Sequence, residues 1–249
     1  MRTKLNPAFY GDELRLLLGD EPGRLERMLR EPANADLLTW NVFASLDRHA
    51  DRDYLAYQLQ ALGGAGVRAP VRLSLWTGRH REPLLRPGSG YVTAARARAQ
   101  RAGGNASATE ALEAPIEAPV RIETADVLVL VDTMLDRYPA GVGGRDRIIE
   151  LIDAGLDHAR RLSCALAVAV VRRSGGREAA EVSERLNRLR DPAVLAAELP
   201  HRGGVPEVVL RELSWQQLLR TWEQEVPYLG LRGQPTRGFT EYLRSLDLS

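Results

Sequence analysis

Glu117, Glu123 and Asp132 lie close together in IEAPVRIETADVLVLVDTML, residues 116–135. Carboxylates that converge at the end of a sheet can hold a hard cation such as Mg2+. Such an ion activates water for attack on a phosphodiester and stabilises the leaving oxygen. In a strand over 127–133 successive side chains alternate, so Val127, Val129 and Val131 share one face and Leu128, Leu130 and Asp132 the other. Asp132 then closes a buried run, where a carboxylate is costly unless a cation, a donor or water meets it. Asp132 and Glu117 are the candidate metal ligands, with Glu123 beside them. Asp126 is a poor fourth acid, because the five residues between it and Asp132 are too few for two paired strands and a turn. The plainer alternative is a polar turn at Glu123–Asp126 and an ordinary strand end at Asp132.

A hydrolytic site of this kind gains from an ammonium beside the phosphate, which orients water and offsets developing negative charge. The sole lysine is Lys4, far from the hairpin in sequence. Arg137, Arg145 and Arg147 follow the hairpin and carry charge. A guanidinium, however, keeps its proton, and its fork does not replace an ammonium.

A second group of candidates is cationic. Arg79, Arg81, Arg96, Arg98 and Arg101, with Trp76 and Tyr91 among them and Glu82 opposing, could grip phosphates and stack bases of a nucleic acid. The alternative is a solvated segment in an arginine-biased chain. The four histidines are scattered without metal-ligand spacing. Cys164 is the one cysteine, which excludes an internal disulfide, and its apolar run CALAVAVV marks it as a packed thiol. GVGGR (141–145) lacks the lysine of a phosphate-binding loop and reads as a flexible connection.

The elements that must position these residues follow from periodicity. Residues 11–63 are helical, with a break at Pro22, an Asn34 cap before NADLLTWNVFASLDR and an Asp51 cap before DRDYLAYQLQALGG. APVRLSLW (69–76) alternates as a strand, while 77–110 lacks sustained periodicity and reads as a long arginine-rich loop with a mobile tip near Gly103–Ala108. Two adjacent strands follow at 117–123 and 127–133, then an amphipathic helix over 144–162 and a buried strand over 164–171. A polar helix at 178–190, a strand VVLREL, a helix capped by Ser214 and a last helix at 239–246 complete the chain. Trp215 and Trp222, seven residues apart, are core or interface residues rather than a ligand platform. The order implies an α/β fold with a mixed sheet covered by helices.

At 249 residues with 44% hydrophobic and 27% charged composition, the chain can bury a substantial core. A net charge of +1 neither demands nor forbids nucleic acid. The first residues lack the apolar region of a signal peptide, and no run reaches the ~18 apolar residues of a membrane span, so a cytoplasmic protein is expected.

The hairpin and its neighbours resemble the PD-(D/E)xK nuclease superfamily, the restriction-endonuclease-like fold, whose core runs helix, three strands, helix, strand. NADLLTWNVFASLDR is similar to the family's opening helix, VRLSLW to its first strand and PIEAPVRIETADVLVLVDTML to its catalytic hairpin. GRDRIIELIDAGLDHARRL and CALAVAVV are similar to the later helix and strand, and LRELSWQQLLRTWEQ to a closing strand and helix. The resemblance implies an N-terminal helical region at 1–66, including the opening core helix 34–48, and a nuclease-like core at 67–249. It places Pro119 where the family has its second-strand aspartate, Asp132 at the following acid and Met134 at the lysine. A nuclease-derived protein that binds nucleic acid or a protein partner without efficient hydrolysis is therefore implied, with phage defence or DNA repair as suitable settings. Two other readings stay open. One is an active Mg2+-dependent nuclease using Asp132 with Glu117 or Glu123 and an arginine for the lysine; the other is an interaction scaffold with no nucleic-acid role.

Overall fold

The computed structural model describes residues 5–78, 81, 83–101, 113–135, 146–175 and 177–248, apart from the side chains of Arg98 and Ala99. Five strands form one sheet in the order β1-β2-β3-β4-β5: β1 (Arg72–Thr77), β2 (Ala118–Glu123), β3 (Val127–Thr133), β4 (Ala165–Arg172) and β5 (Val208–Ser214). The first three are antiparallel, and β4 and β5 then continue parallel to β3. The β2–β3 turn is short, closed by Thr124 N donating to the Val127 carbonyl at 3.0 Å and by the Thr124 hydroxyl. Thr124 Oγ1 accepts from Val127 N at 3.1 Å and from Asp126 N at 3.3 Å, satisfying backbone donors that the ladder cannot reach.

Helices cover both faces, which is why β3 and β4 are apolar on both sides. One face carries α1 (Gly11–Leu17), α2 (Pro22–Arg30), α3 (Ala35–Thr39) with the π-helical turn Trp40–Ala44 that extends it, and α4 (Arg52–Gly63). The same face carries α9 (Trp215–Glu225) and α10 (Thr236–Ser245). Their core includes Val129, Val131, Ala169 and Val171, so the N-terminal helices share one interior with the sheet. The other face carries α5 (Ser89–Arg101), α6 (Arg147–Leu162), α7 (Arg177–Leu189) and α8 (Pro192–Glu198), packed on Leu128, Leu130, Val168 and Val170. Helix α6 approaches closely because Gly155 has no side chain: a Cβ there would lie 2.9 Å from Leu130 Cδ1 and from Leu166 Cδ1.

The caps fix where helices start. Asn34 Oδ1 accepts from Leu37 N, Asp51 Oδ1 from Tyr54 N and Asp146 Oδ1 from Ile148 N and Ile149 N. Ser214 and Gln217 form a reciprocal capping box at α9. Pro22 opens α2 as its first residue rather than only breaking the preceding helix, since a first-turn proline forfeits no helical hydrogen bond.

The structure corrects the reading of 77–110 as a loop. Residues 89–101 are a helix, with Tyr91, Val92 and Ala95 buried against the second core. Alanine and arginine favour helices, and Ala95 completes a stripe that large apolar residues alone do not reveal. The proposed tip at Gly103–Ala108 and the GVGGR segment lie outside the described residues. Among the described residues no helix is long and apolar enough to cross a membrane.

Candidate functional site

The C-terminal end of β3 meets the chain leading into β2, the N-terminus of α6, and α2 and α3. The antiparallel register pairs Val120 with Val131 and Leu75 with Val120. One step further along both ladders, Pro119 faces Asp132 on one side and Trp76 on the other. Proline has no N–H to offer either neighbour. Trp76 takes a left-handed backbone with φ 51°, uncommon for a bulky residue and costly away from a functional or turn position. Its ring stacks on Trp40, with centroids 5.9 Å apart.

Arginines occupy the carboxylates. Arg24 donates to Glu117 with both arms of its fork, Nη1 to Oε2 and Nη2 to Oε1, each at 2.8 Å. The same guanidinium donates to Asp36 from Nε at 2.8 Å and from Nη2 at 3.1 Å. It also lies over the Trp76 ring, 4.6 Å from the centroid. Burial would push the Arg24 guanidinium down, but the hydrogen bonds and charges of Glu117 and Asp36 outweigh it and hold it above its ordinary value.

Asp132 is 3% exposed, and Arg147 Nε donates to its Oδ1 at 3.0 Å. Arg147 Nη2 donates to the carbonyl of Glu117 at 2.5 Å, so one guanidinium ties the end of β3 to the start of β2. The Arg147 guanidinium is opposed by burial and raised overall by the Asp132 charge and hydrogen bond. As the first residue of α6, Arg147 points back toward this strand end.

Glu117 and Asp132 are thus brought to one place, bridged by Arg147. Glu123 is not. It ends β2 on the far side, opposite Leu128, and pairs with Arg121. Its four-residue separation from Pro119 along the strand corresponds to roughly 13 Å, which corrects its inclusion in the site. Met134 is 7% exposed within the second core. Its carbonyl accepts Trp215 Nε1 at 2.9 Å, so a packed apolar side chain stands where the nuclease resemblance places a lysine.

A divalent cation does not fit the described groups. Hard-cation sites need several carboxylate or carbonyl oxygens free to turn inward. Here the Glu117 oxygens face Arg24 and an Asp132 oxygen faces Arg147, and no cluster of three or more His, Cys, Asp or Glu side chains among the described residues could hold a metal ion.

The arginines expected to meet nucleic acid fall into different settings. Arg81 is drawn into the fold: it donates to the Leu17 carbonyl, lies 3.8 Å from Glu21 and sits near Trp76. Burial lowers its guanidinium's affinity for its proton. Arg96 pairs with Glu113 at 2.6 Å, and Arg101 on the same helix is exposed, its Nε donating to the Ala97 carbonyl. Arg79, Arg137 and Arg145 lie outside the described residues, as does the Arg98 side chain.

Arg24 and Asp36 escaped the sequence reading, because their link to Glu117 spans the chain and no local pattern marks it. Arg121 was readable. It interrupts VRIE on a strand whose partner β3 is apolar on both faces, so its side chain had to be buried. Comparison of the chain with protein-family models, with curated proteins and with solved structures finds no match.

Proposed function

We propose that this chain is a nuclease-derived domain of the restriction-endonuclease-like type that binds nucleic acid or a protein partner without efficient hydrolysis. The reading draws on the sheet, an antiparallel meander β1–β3 followed by helix α6 and a parallel strand β4. The observation that carries the loss of hydrolysis is the arginine closure of the acids: Arg24 on Glu117 and Arg147 on Asp132. With Pro119 where the family has an acid and Met134 packed in the core, the described residues offer neither a group of three metal ligands nor a lysine beside the strand end. On α5 the exposed Arg101 and the half-buried Arg96 support a phosphate-binding surface.

A second reading draws on the 3.0 Å contact between Arg147 and Asp132, in which that arginine stands in for the lysine of an active enzyme. Purified protein incubated with DNA or RNA and Mg2+ or Mn2+ separates the two. No cleavage above that of Asp132→Asn is expected, together with salt-sensitive binding in fluorescence anisotropy. Metal-dependent cleavage that disappears in Asp132→Asn would promote the second reading. Absence of both cleavage and binding would leave a protein-interaction scaffold.

A further inference from the structure

At the hairpin-turn end of the sheet, the charge arrangement is the reverse of that at Asp132. Arg121 is 4% exposed in the middle of β2. It pairs with Glu123, and its Nε has no hydrogen-bond partner. Its Nη2 lies 2.7 Å from His158 Nε2, on α6. The other ring nitrogen, His158 Nδ1, lies 3.1 Å from Arg161 Nη2. A neutral imidazole has one acceptor nitrogen and one N–H, and a guanidinium only donates. One of these two contacts therefore sets donor against donor.

The tautomer follows from which arginine can move. Arg121 is enclosed in a strand, so its Nη2 requires the Nε2 lone pair. Arg161 is exposed at the end of α6. His158, itself 7% exposed, then carries its proton on Nδ1 and directs it toward the Arg161 guanidinium. Protonating the ring makes both contacts repulsive, and burial together with Arg121 and Arg161 holds the imidazole below its ordinary value.

Local carboxylates do not offset the excess. Arg72 stands opposite Glu123 across the ladder, a second arginine beside that one acid. Asp157, the nearest carboxylate on α6, is taken by Arg202 at 3.1 Å and Arg160 at 3.6 Å. Arg161 reaches only the Asp157 backbone carbonyl, at 3.3 Å. The neighbouring Cys164 thiol is pushed up by burial and stays neutral. Burial, with the charge of Arg72 adding to it, brings the Arg121 guanidinium down to about 10.

We propose that a phosphate-class oxyanion takes the place of the His158–Arg161 contact, with the exposed Arg161 side chain turned outward to admit it. Once Arg161 has turned outward, the anion accepts from His158 Nδ1–H and from Arg161, which replaces the donor–donor contact, and Arg121 adds its charge from the other side of the ring. Charge-assisted bonds of this kind are short and strong, and a guanidinium suits phosphate geometry. The site is separate from the Asp132 end and does not depend on the nuclease-derived reading.

The test is binding of inorganic phosphate by the full chain, followed by equilibrium dialysis and by the rise in thermal midpoint against chloride of matched ionic strength. One phosphate per chain is expected, with a shift of the His158 Nδ1–H resonance in NMR spectra. Arg161→Ala, an exposed change that leaves the fold intact, should weaken phosphate at least about tenfold, and Arg161→Lys should recover part of the loss. A chain that takes up no phosphate beyond the chloride control overturns the proposal. So does Arg161→Ala binding phosphate as the wild type does, which would mean that Arg161 simply turns away into solvent. Competition identifies the source: a nucleoside monophosphate that displaces phosphate marks a free phosphomonoester, whereas displacement by an oligonucleotide without terminal phosphates marks a nucleic-acid backbone.

Discussion

The two ends of the central hairpin bury arginine in opposite ways. At the Asp132 end, Arg24 forks onto Glu117 and Asp36, Arg147 gives Asp132 one bond from Nε, and both guanidiniums are held above their ordinary range. At the turn end, Arg121 has Glu123, a histidine and an unpartnered Nε, and its affinity for a proton falls. The residue type is the same at both ends, and burial opposes the charge at both. What differs is the number of acids per guanidinium. At the first end each carboxylate is met by a guanidinium, whereas at the second a single carboxylate, Glu123, meets Arg121 with Arg72 opposite it across the ladder.

The sharpest break of this contrast is Arg24→Met. Removing the guanidinium leaves Glu117 and Asp36 partly buried without their partner, at a cost of about 3 kcal/mol. Urea denaturation measures it, and a loss below ~0.5 kcal/mol, the scale of an exposed pair, would show that the matched end is not matched energetically. Arg24→Lys should recover little, since an ammonium cannot fork to two carboxylates.

Asp132→Asn comes next. The side chain keeps its shape and loses the charge that meets Arg147, so a loss of about 1.5 kcal/mol is expected. A variant more stable than the wild type would mean that the carboxylate is a burden, as at a site that awaits a cation.

The turn end predicts a pH dependence with a definite sign. The folded state holds His158 below its ordinary value of 6.5, so the unfolded chain binds the proton more readily. Its contribution to stability is complete above that value and is lost as pH falls through it and down to the depressed folded value. The charged groups facing the ring are Arg121 and Arg161, with Glu123 behind Arg121. Thermal midpoints measured in chloride buffer should drop more steeply below pH 6.5 for the wild type than for His158→Gln. Equal slopes would remove His158 as the group responsible.

The smallest stability effect belongs to the double change Arg96→Ala and Arg101→Ala, within ~0.5 kcal/mol because both side chains are on the surface. If α5 meets phosphates, the slope of log affinity against log salt should fall by roughly 2. An unchanged slope would leave these two as solvated residues of the helix.

Much of the scaffold was legible locally. Asn34, Asp51 and Ser214 announce helix starts because a short side-chain acceptor meets backbone donors two or three residues away. VLVLVDT reads as a strand because alternation and uninterrupted apolar character are properties of adjacent residues. The α5 helix was missed because its buried stripe includes Ala95, too small to stand out among arginines. Glu123 was grouped with Asp132 because a hairpin is short in sequence, yet the two lie at opposite ends of paired strands.

The chain's linear pattern determines that β3 is buried on both faces, that it carries an acid one residue before its end, and that no lysine follows that acid in sequence. Those facts follow from interactions between neighbours and from composition. Which charge meets each acid is set by packing across the whole chain: Arg24 reaches Glu117 from another helix, and Arg147 turns back from the start of α6. The folded arrangement also leaves Arg121 and Arg161 on either side of one imidazole. No local rule encodes these pairings, because a guanidinium on a long, flexible stem finds its carboxylate only once helix and sheet have fixed the distance between them.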